Sequence, residues 1–173
     1  MSIRVNHAII MTFFRNGENM KKIEMLIIVL IIFLDQLTKG WVESFLDLYE
    51  SLELIPGFFS LTYARNTGAA WSMLSGQMTF FIVLTTVVLI GLIVLMIKTP
   101  KGSTWTRISF TLIMSGAIGN FIDRLMFSYV RDFLDFIIFG YDFPIFNVAD
   151  ISLCIGVALL ALVTFLDKEE SII

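Results

Sequence analysis

A chain of 173 residues that is 57% hydrophobic and 16% charged, with a mean hydropathy of +0.87, is far from a soluble domain, where about a quarter of residues are charged. The net charge of −3 and the lack of a basic run offer no footprint for nucleic acid, and one cysteine, Cys154, excludes an intramolecular disulfide. The composition is that of a membrane protein built as one domain.

Residues 1–19 contain the one histidine, His7, and an apolar run too short to span, HAIIMTFF. Met20-Lys21-Lys22 looks like an ordinary start, so 1–19 are read as an N-terminal extension without a role in function, ahead of a domain at 20–167 and a cytoplasmic tail at 168–173. A first span is expected from Ile23 to about Trp41. It is not a cleaved signal peptide, because no A-x-A-like site follows and Asp35 stands where one would be.

Loop 42–78 follows, with SLELIPGFFSLTYARN and a Pro56-Gly57 turn signal. It reads as short strands at the outer membrane surface, with Leu54, Ile55, Phe58, Phe59, Leu61, Tyr63 and Trp71 as an apolar platform. The alternative, a loop merely packed on the helices, has equal standing. A second span, Thr79 to Ile97, carries no charge. A third, about Trp105 to Asp123, has a shorter apolar part, and Ser115, Gly116, Ala117 and Gly119 permit close helix approach. A fourth runs from about Phe146 to Leu166 and contains Cys154 as a small hydrophobe. The expected fold is an all-α membrane protein of four transmembrane helices, with a small β-containing extracytoplasmic domain between the first two. Lys21, Lys22, Lys98, Lys101 and Arg107 place both termini in the cytoplasm. The acidic tail (DKEE) runs against this, but acidic residues count little in that rule.

Ionisable residues at membrane depth mark function or a buried pair. Asp35, Thr38 and Lys39 stand at i, i+3 and i+4, as do Asn120, Asp123 and Arg124; Asn147 and Asp150 stand at i and i+3. Each set shares one helix face, and all three lie at the outer ends of their helices. One reading is an ion-pair network of Asp35, Lys39, Asp123 and Arg124 that holds the helices together. The other is a reactive site that includes Asp132 and Asp150. Without a histidine in the domain, Ser-His-Asp chemistry and His-ligated zinc are out, and Cys154 has no base. Carboxylates remain: two that share a site cannot both ionise cheaply, so one holds a proton while the other activates water. The same groups are also donors suited to a divalent cation. A proton-coupled transporter with charges near mid-membrane and a non-catalytic membrane chaperone are the rival readings.

DQLTK (35–39), ARNTGAAWSML (64–74), GNFIDR (119–124), VRDF (130–133) and FPIFNVAD (143–150) resemble, in order and spacing, the bacterial lipoprotein signal peptidases, or signal peptidase II, over about residues 20–167. The resemblance implies Asp132 and Asp150 as the catalytic pair, with Asp35, Lys39, Asn66, Gly68, Asn120, Asp123, Arg124 and Asn147 in support. It implies an aspartic endopeptidase of the inner membrane that needs no cofactor or metal and cuts diacylglyceryl-modified prolipoproteins just before the lipidated cysteine. It also implies inhibition by globomycin-type cyclic peptides. The family spacing favours Asp132 over Asp135, which would share a helical face with Asp132, and leaves Asp142 to structure its loop. Two departures stand out. Arg131 replaces an apolar residue, and would depress the pKa of Asp132 if the side chains meet. Ser128-Tyr129 replaces a Gly-x, and so removes a residue suited to positive φ.

Overall fold

A computed structural model describes residues 22–68, 73–100 and 102–170. The 1–19 extension, Lys21, Lys101, Trp71 and the last residues of the tail lie outside the described residues. Four helices carry the chain: α1 (Lys22–Glu43), α2 (Met78–Lys98), α3 (Thr104–Phe127) and α4 (Val148–Glu170). Three of them, α1, α2 and α4, are long and apolar enough to cross a membrane. Their outward residues, such as Phe33, Val87 and Leu162, are exposed, as lipid-facing side chains must be.

Helix α3 differs because it is the central one, packed against all three others and most extensively against α4. Its polar residues face protein, not lipid. Ser109, Thr111 and Ser115 return their hydroxyls to the carbonyls of Trp105, Arg107 and Thr111 at 2.7–2.9 Å, which satisfies them locally. Gly116 and Gly119 make the close packing possible. A Cβ on Gly116 would overlap the carbonyl oxygen of Ala149, and one on Gly119 would lie 3.0 Å from the Ala149 Cβ. One apolar core, of Ile28, Leu92, Met96, Phe110, Ile113 and Met114, joins α1, α2 and α3, and Leu160 of α4 packs against it.

The β structure is larger than the sequence pattern suggests. Strands β1 (Ser51–Ile55), β2 (Phe59–Asn66), β3 (Val130–Ile138) and β4 (Tyr141–Asp142) lie in the order β1-β2-β3-β4, all antiparallel. The sheet therefore belongs to two loops, not only to the one between the first two helices. The physical reason is long-range pairing: Ala64 faces Asp132, 68 residues on, and Phe59 faces Phe136, 77 residues on, and Phe136 stacks on both Phe59 and Phe146. Below the sheet, Val42, Leu46, Leu61, Tyr63 and Phe133 form a second core. The expected apolar platform thus divides: Leu61 and Tyr63 are buried, while Leu54, Ile55 and Phe58 are exposed. The backbone N–H groups of Phe133 and Leu134 donate to the Phe146 carbonyl at 3.0 and 2.8 Å, which docks the start of α4 onto β3.

Candidate active site

Three helix ends and one strand meet where the sheet joins the helices. On α1, Asp35 and Lys39 are one turn apart and fully buried, 2.8 Å from Nζ to Oδ2. The Lys39 ammonium also donates to Asn120 Oδ1 on α3 at 2.9 Å and lies 3.4 Å from Asp123. The other Asp35 oxygen accepts the Ala149 N–H at 2.9 Å, a first-turn donor of α4 that no helix carbonyl can reach. Asp35 passes so near α3 that a Cβ on Gly119 would stand 2.7 Å from its carboxylate.

Asn147 precedes α4 as its cap. Its Oδ1 accepts the Asp150 N–H at 3.0 Å, and Asp150 accepts the Asn147 N–H at 3.2 Å, a reciprocal capping box. That leaves the Asn147 amide free to donate to Asp132 Oδ1 at 2.6 Å, with Asn120 Oδ1 at 3.1 Å. Asn120 donates to Asp150 Oδ1 at 2.7 Å, and Asn66, at the end of β2, donates to Asp132 Oδ2 at 3.1 Å. The two carboxylates are thus held by neutral amides and joined through Asn147. Among the described residues neither pairs with a cation within salt-bridge distance. Both line a cavity of about 550 Å³ whose other walls are mainly apolar, from Phe143 to Phe146 and at Ile151, Cys154 and Ile155.

Burial pushes the Asp132 carboxyl up to about 7, helped by the charge of Asp150 and opposed by the Asn66 and Asn147 hydrogen bonds and the charge of Lys39. Arg124 lines the same cavity, lies 5.0 Å above the Phe81 ring and donates to the Gly68 carbonyl at 3.3 Å. Its Nε is buried without a partner among the described residues. Gly68 in turn donates its N–H to Asn66 Oδ1 at 2.9 Å, which orients that amide. Among the described residues no cluster of three or more His, Cys, Asp or Glu is arranged to hold a metal ion.

Several expectations change. Arg131 does not meet Asp132: successive strand residues point to opposite faces, and its guanidinium turns toward Asp123 (2.8 Å), Gln36 (2.9 Å) and Glu43 (3.1 Å), over the Phe127 ring. The Asp132 carboxyl is raised, not depressed. The ion-pair network contains Asp35, Lys39 and Asp123 as expected, but its second cation is Arg131 and not Arg124. Asp135 has no helical relation to Asp132, because the segment is a strand; it accepts a hydrogen bond from Thr62 at 2.5 Å and borders a second cavity with Asp142. Thr38 returns its hydroxyl to the Leu34 and Asp35 carbonyls and takes no part in the site. Ser128 itself adopts the left-handed conformation (φ 63°) that ends α3, so the turn survives the loss of glycine. Gln36 and Glu43 escaped sequence reasoning. Gln36 sits inside the DQLTK motif, and its neighbour Asp35 was the only signal for it.

The model of a family described as signal peptidase (SPase) II matches residues 27–166. A lipoprotein signal peptidase of Staphylococcus aureus (strain JH9) is 45% identical over 145 residues, 84% of this chain and 89% of that protein. The protein of the same name from strain N315 matches equally. Two solved structures, each described as a bacterial membrane enzyme studied by the in meso method, superpose well. The one at 2.3 Å has a TM-score of 0.83 at 42% identity, covering 87% of this chain and 92% of that one. The one at 1.9 Å has a TM-score of 0.77 at 43% identity, covering 84% and 94%.

Proposed function

This chain belongs to the signal peptidase II family, and from that premise we propose that it is an aspartic endopeptidase of the bacterial inner membrane, with Asp132 and Asp150 as its catalytic pair. The reading is carried by one observation: two carboxylates, Asp132 buried and Asp150 half-buried, held by neutral amides and joined through Asn147, on the wall of one mainly apolar cavity. With Asp132 raised to about 7, the pair holds one proton between them near neutral pH.

The ionised carboxylate takes a proton from water as the oxygen attacks the scissile carbonyl carbon, and the protonated one donates to the carbonyl oxygen. On collapse the carboxyl that took the water proton gives it to the leaving nitrogen, the C–N bond breaks, and a hydroxyl of the tetrahedral diol returns a proton to the other carboxylate, so the pair again holds one proton. Water is the nucleophile, so no covalent enzyme intermediate forms. Asn66 and Arg124 orient the carbonyl. Lys39, Asp35, Asn120, Asp123, Asn147 and Gly68 keep the carboxylates and their donors in place.

The substrate is a diacylglyceryl-modified prolipoprotein, cut before its lipidated cysteine; the name of the Staphylococcus relatives, lipoprotein signal peptidase, supports a lipoprotein precursor. Globomycin-type cyclic peptides would compete for the apolar cavity. Helix α3, the third in chain order, completes the four spans: its 24 residues reach about 36 Å, against a hydrocarbon core of about 30 Å. Lys22, Lys98 and Arg107 at one end of the helices support a cytoplasmic side there, with both termini inside and the carboxylates at the outer face. The test is a pair of synthetic precursor peptides, one lipidated at its cysteine and one not, incubated with the protein in micelles and read by mass spectrometry. The reading expects a single cut before the cysteine of the lipidated peptide alone. An uncut lipidated peptide, or equal cutting of both, overturns it.

A further inference from the structure

The turn that joins β3 to β4 violates two local preferences at once. Ile138 pairs with Tyr141, so Phe139 and Gly140 make a two-residue hairpin loop, and both have positive φ (51° and 78°). Such a loop favours Asn-Gly or Gly-Gly, and a bulky aromatic in the left-handed region is strained. Phe139 is also fully exposed, at 105% of its reference area, between the exposed Ile137, Ile138 and Tyr141. Neither the turn nor water selects phenylalanine there. A conflict between local preference and the fold is the expected mark of a functional position.

The neighbouring turn is apolar too. Ile55 and Phe58 are exposed beside it, and the Ile137 N–H donates to the Phe58 carbonyl at 2.9 Å, which sets the two tips side by side as one rim. This rim continues a surface that already faces lipid. From Trp41 and Phe45 at the end of α1, exposed apolar side chains run through Leu48 and Tyr49 to Leu52 and Leu54 on β1. At the other side, Tyr141 is seven residues from Val148, where an apolar helix long enough to span begins. Aromatic residues with an apolar flank are what membrane interfaces select.

We propose that the β3–β4 turn, with Phe139 at its tip, inserts into the headgroup–acyl boundary of the bilayer and holds strand β3 at a fixed height. The occupant is lipid. The inference rests on the reading that the helices span a membrane, and its consequence concerns Asp132, which lies about 20 Å from the end of β3 at Ile138, six residues at 3.2–3.4 Å each.

The experiment places a tryptophan at 139 (Phe139→Trp) in full-length protein reconstituted into phosphatidylcholine–phosphatidylglycerol vesicles, with and without brominated acyl chains. Val87→Trp, at an exposed position in the middle of α2, is the control, and the wild-type signal is subtracted from both. The expected result is blue-shifted emission from position 139 that brominated lipid quenches and aqueous acrylamide does not. Quenching by lipid at 87 but by acrylamide at 139 overturns the proposal and leaves the spanning reading intact. Blue-shifted emission at 139 that lipid does not quench means a protein covers the rim, and also overturns it. Failure at both positions removes the spanning reading together with the rim. A second variant, Phe139→Asn, relieves the turn. It should melt in detergent no lower than wild type, yet show a several-fold higher KM for lipidated peptide in vesicles. A lower melting temperature would mean that Phe139 packs within the protein, against the proposal.

Discussion

Two buried charge clusters sit at opposite ends of the helices, and they are built differently. At one end Arg107 on α3 makes a two-point pair with Glu24 on α1, 2.8 Å at each contact, and spends its third nitrogen on the carbonyls of Met96 and Thr99, which close the end of α2. Charge meets opposite charge, and no cavity touches the pair among those described. At the other end Asp132 and Asp150 receive amide donors, face a cavity, and share the field of cations that are paired with other acids. A clamp neutralises its charges. The Asp132–Asp150 pair, by contrast, is bonded by neutral amides and left unneutralised, with Asp132 buried and its carboxyl raised to about 7.

The comparison breaks most visibly at the clamp. Arg107→Ala removes both guanidinium contacts from the buried Glu24 carboxylate and should cost about 3–5 kcal/mol, read as a lower melting temperature in detergent, with turnover per folded molecule unchanged. Glu24→Leu with Arg107→Met should recover most of that loss. At the reactive end the stability effect has the opposite sign. The Asp132 carboxyl is raised from its ordinary value to about 7, so burying it costs nothing below pH 4 and progressively more as pH rises through 7. Asp132→Asn should therefore melt with wild type at pH 4 and above it at pH 8. The same titration gives kcat a falling limb as pH rises past about 7, when the pair loses its one proton.

How much of this was legible depends on the range of the contacts. The i, i+3 and i+4 spacings of Asp35 with Lys39, Asn120 with Asp123 and Arg124, and Asn147 with Asp150 are local, and the structure brings these side chains to one place. The glycines of α3 announced close packing for the same reason, and the structure seats α4 against them. Strand β3 was not legible. VRDFLDFII alternates poorly because Arg131 must reach one side and Asp132 the other, and its partner β2 is some seventy residues away. The pairing of Arg131 with Asp123 and Glu43 depends on that sheet and was hidden with it. The third expected span showed only a shorter apolar part, and α3, which covers it, holds its place by burying polar groups.

Smaller changes sharpen the contrast. Asn66→Ala removes one donor from Asp132 and should lower kcat about ten-fold or more, as loss of a positioned donor does, with the melting temperature near that of wild type. Ser128→Gly relieves a left-handed serine at the end of α3 and should stabilise by about 0.5–1 kcal/mol, read by thermal melting, with activity unchanged.

The most direct measurement is cleavage of a lipidated precursor peptide in micelles by wild type, Asp132→Asn and Asp150→Asn, each first shown to be folded. The substitution keeps shape and polarity and removes the titratable proton. The account predicts that wild type cuts before the lipidated cysteine while both folded variants are inactive. Near-normal cleavage by either variant would contradict it, and would place that carboxylate among the structural groups.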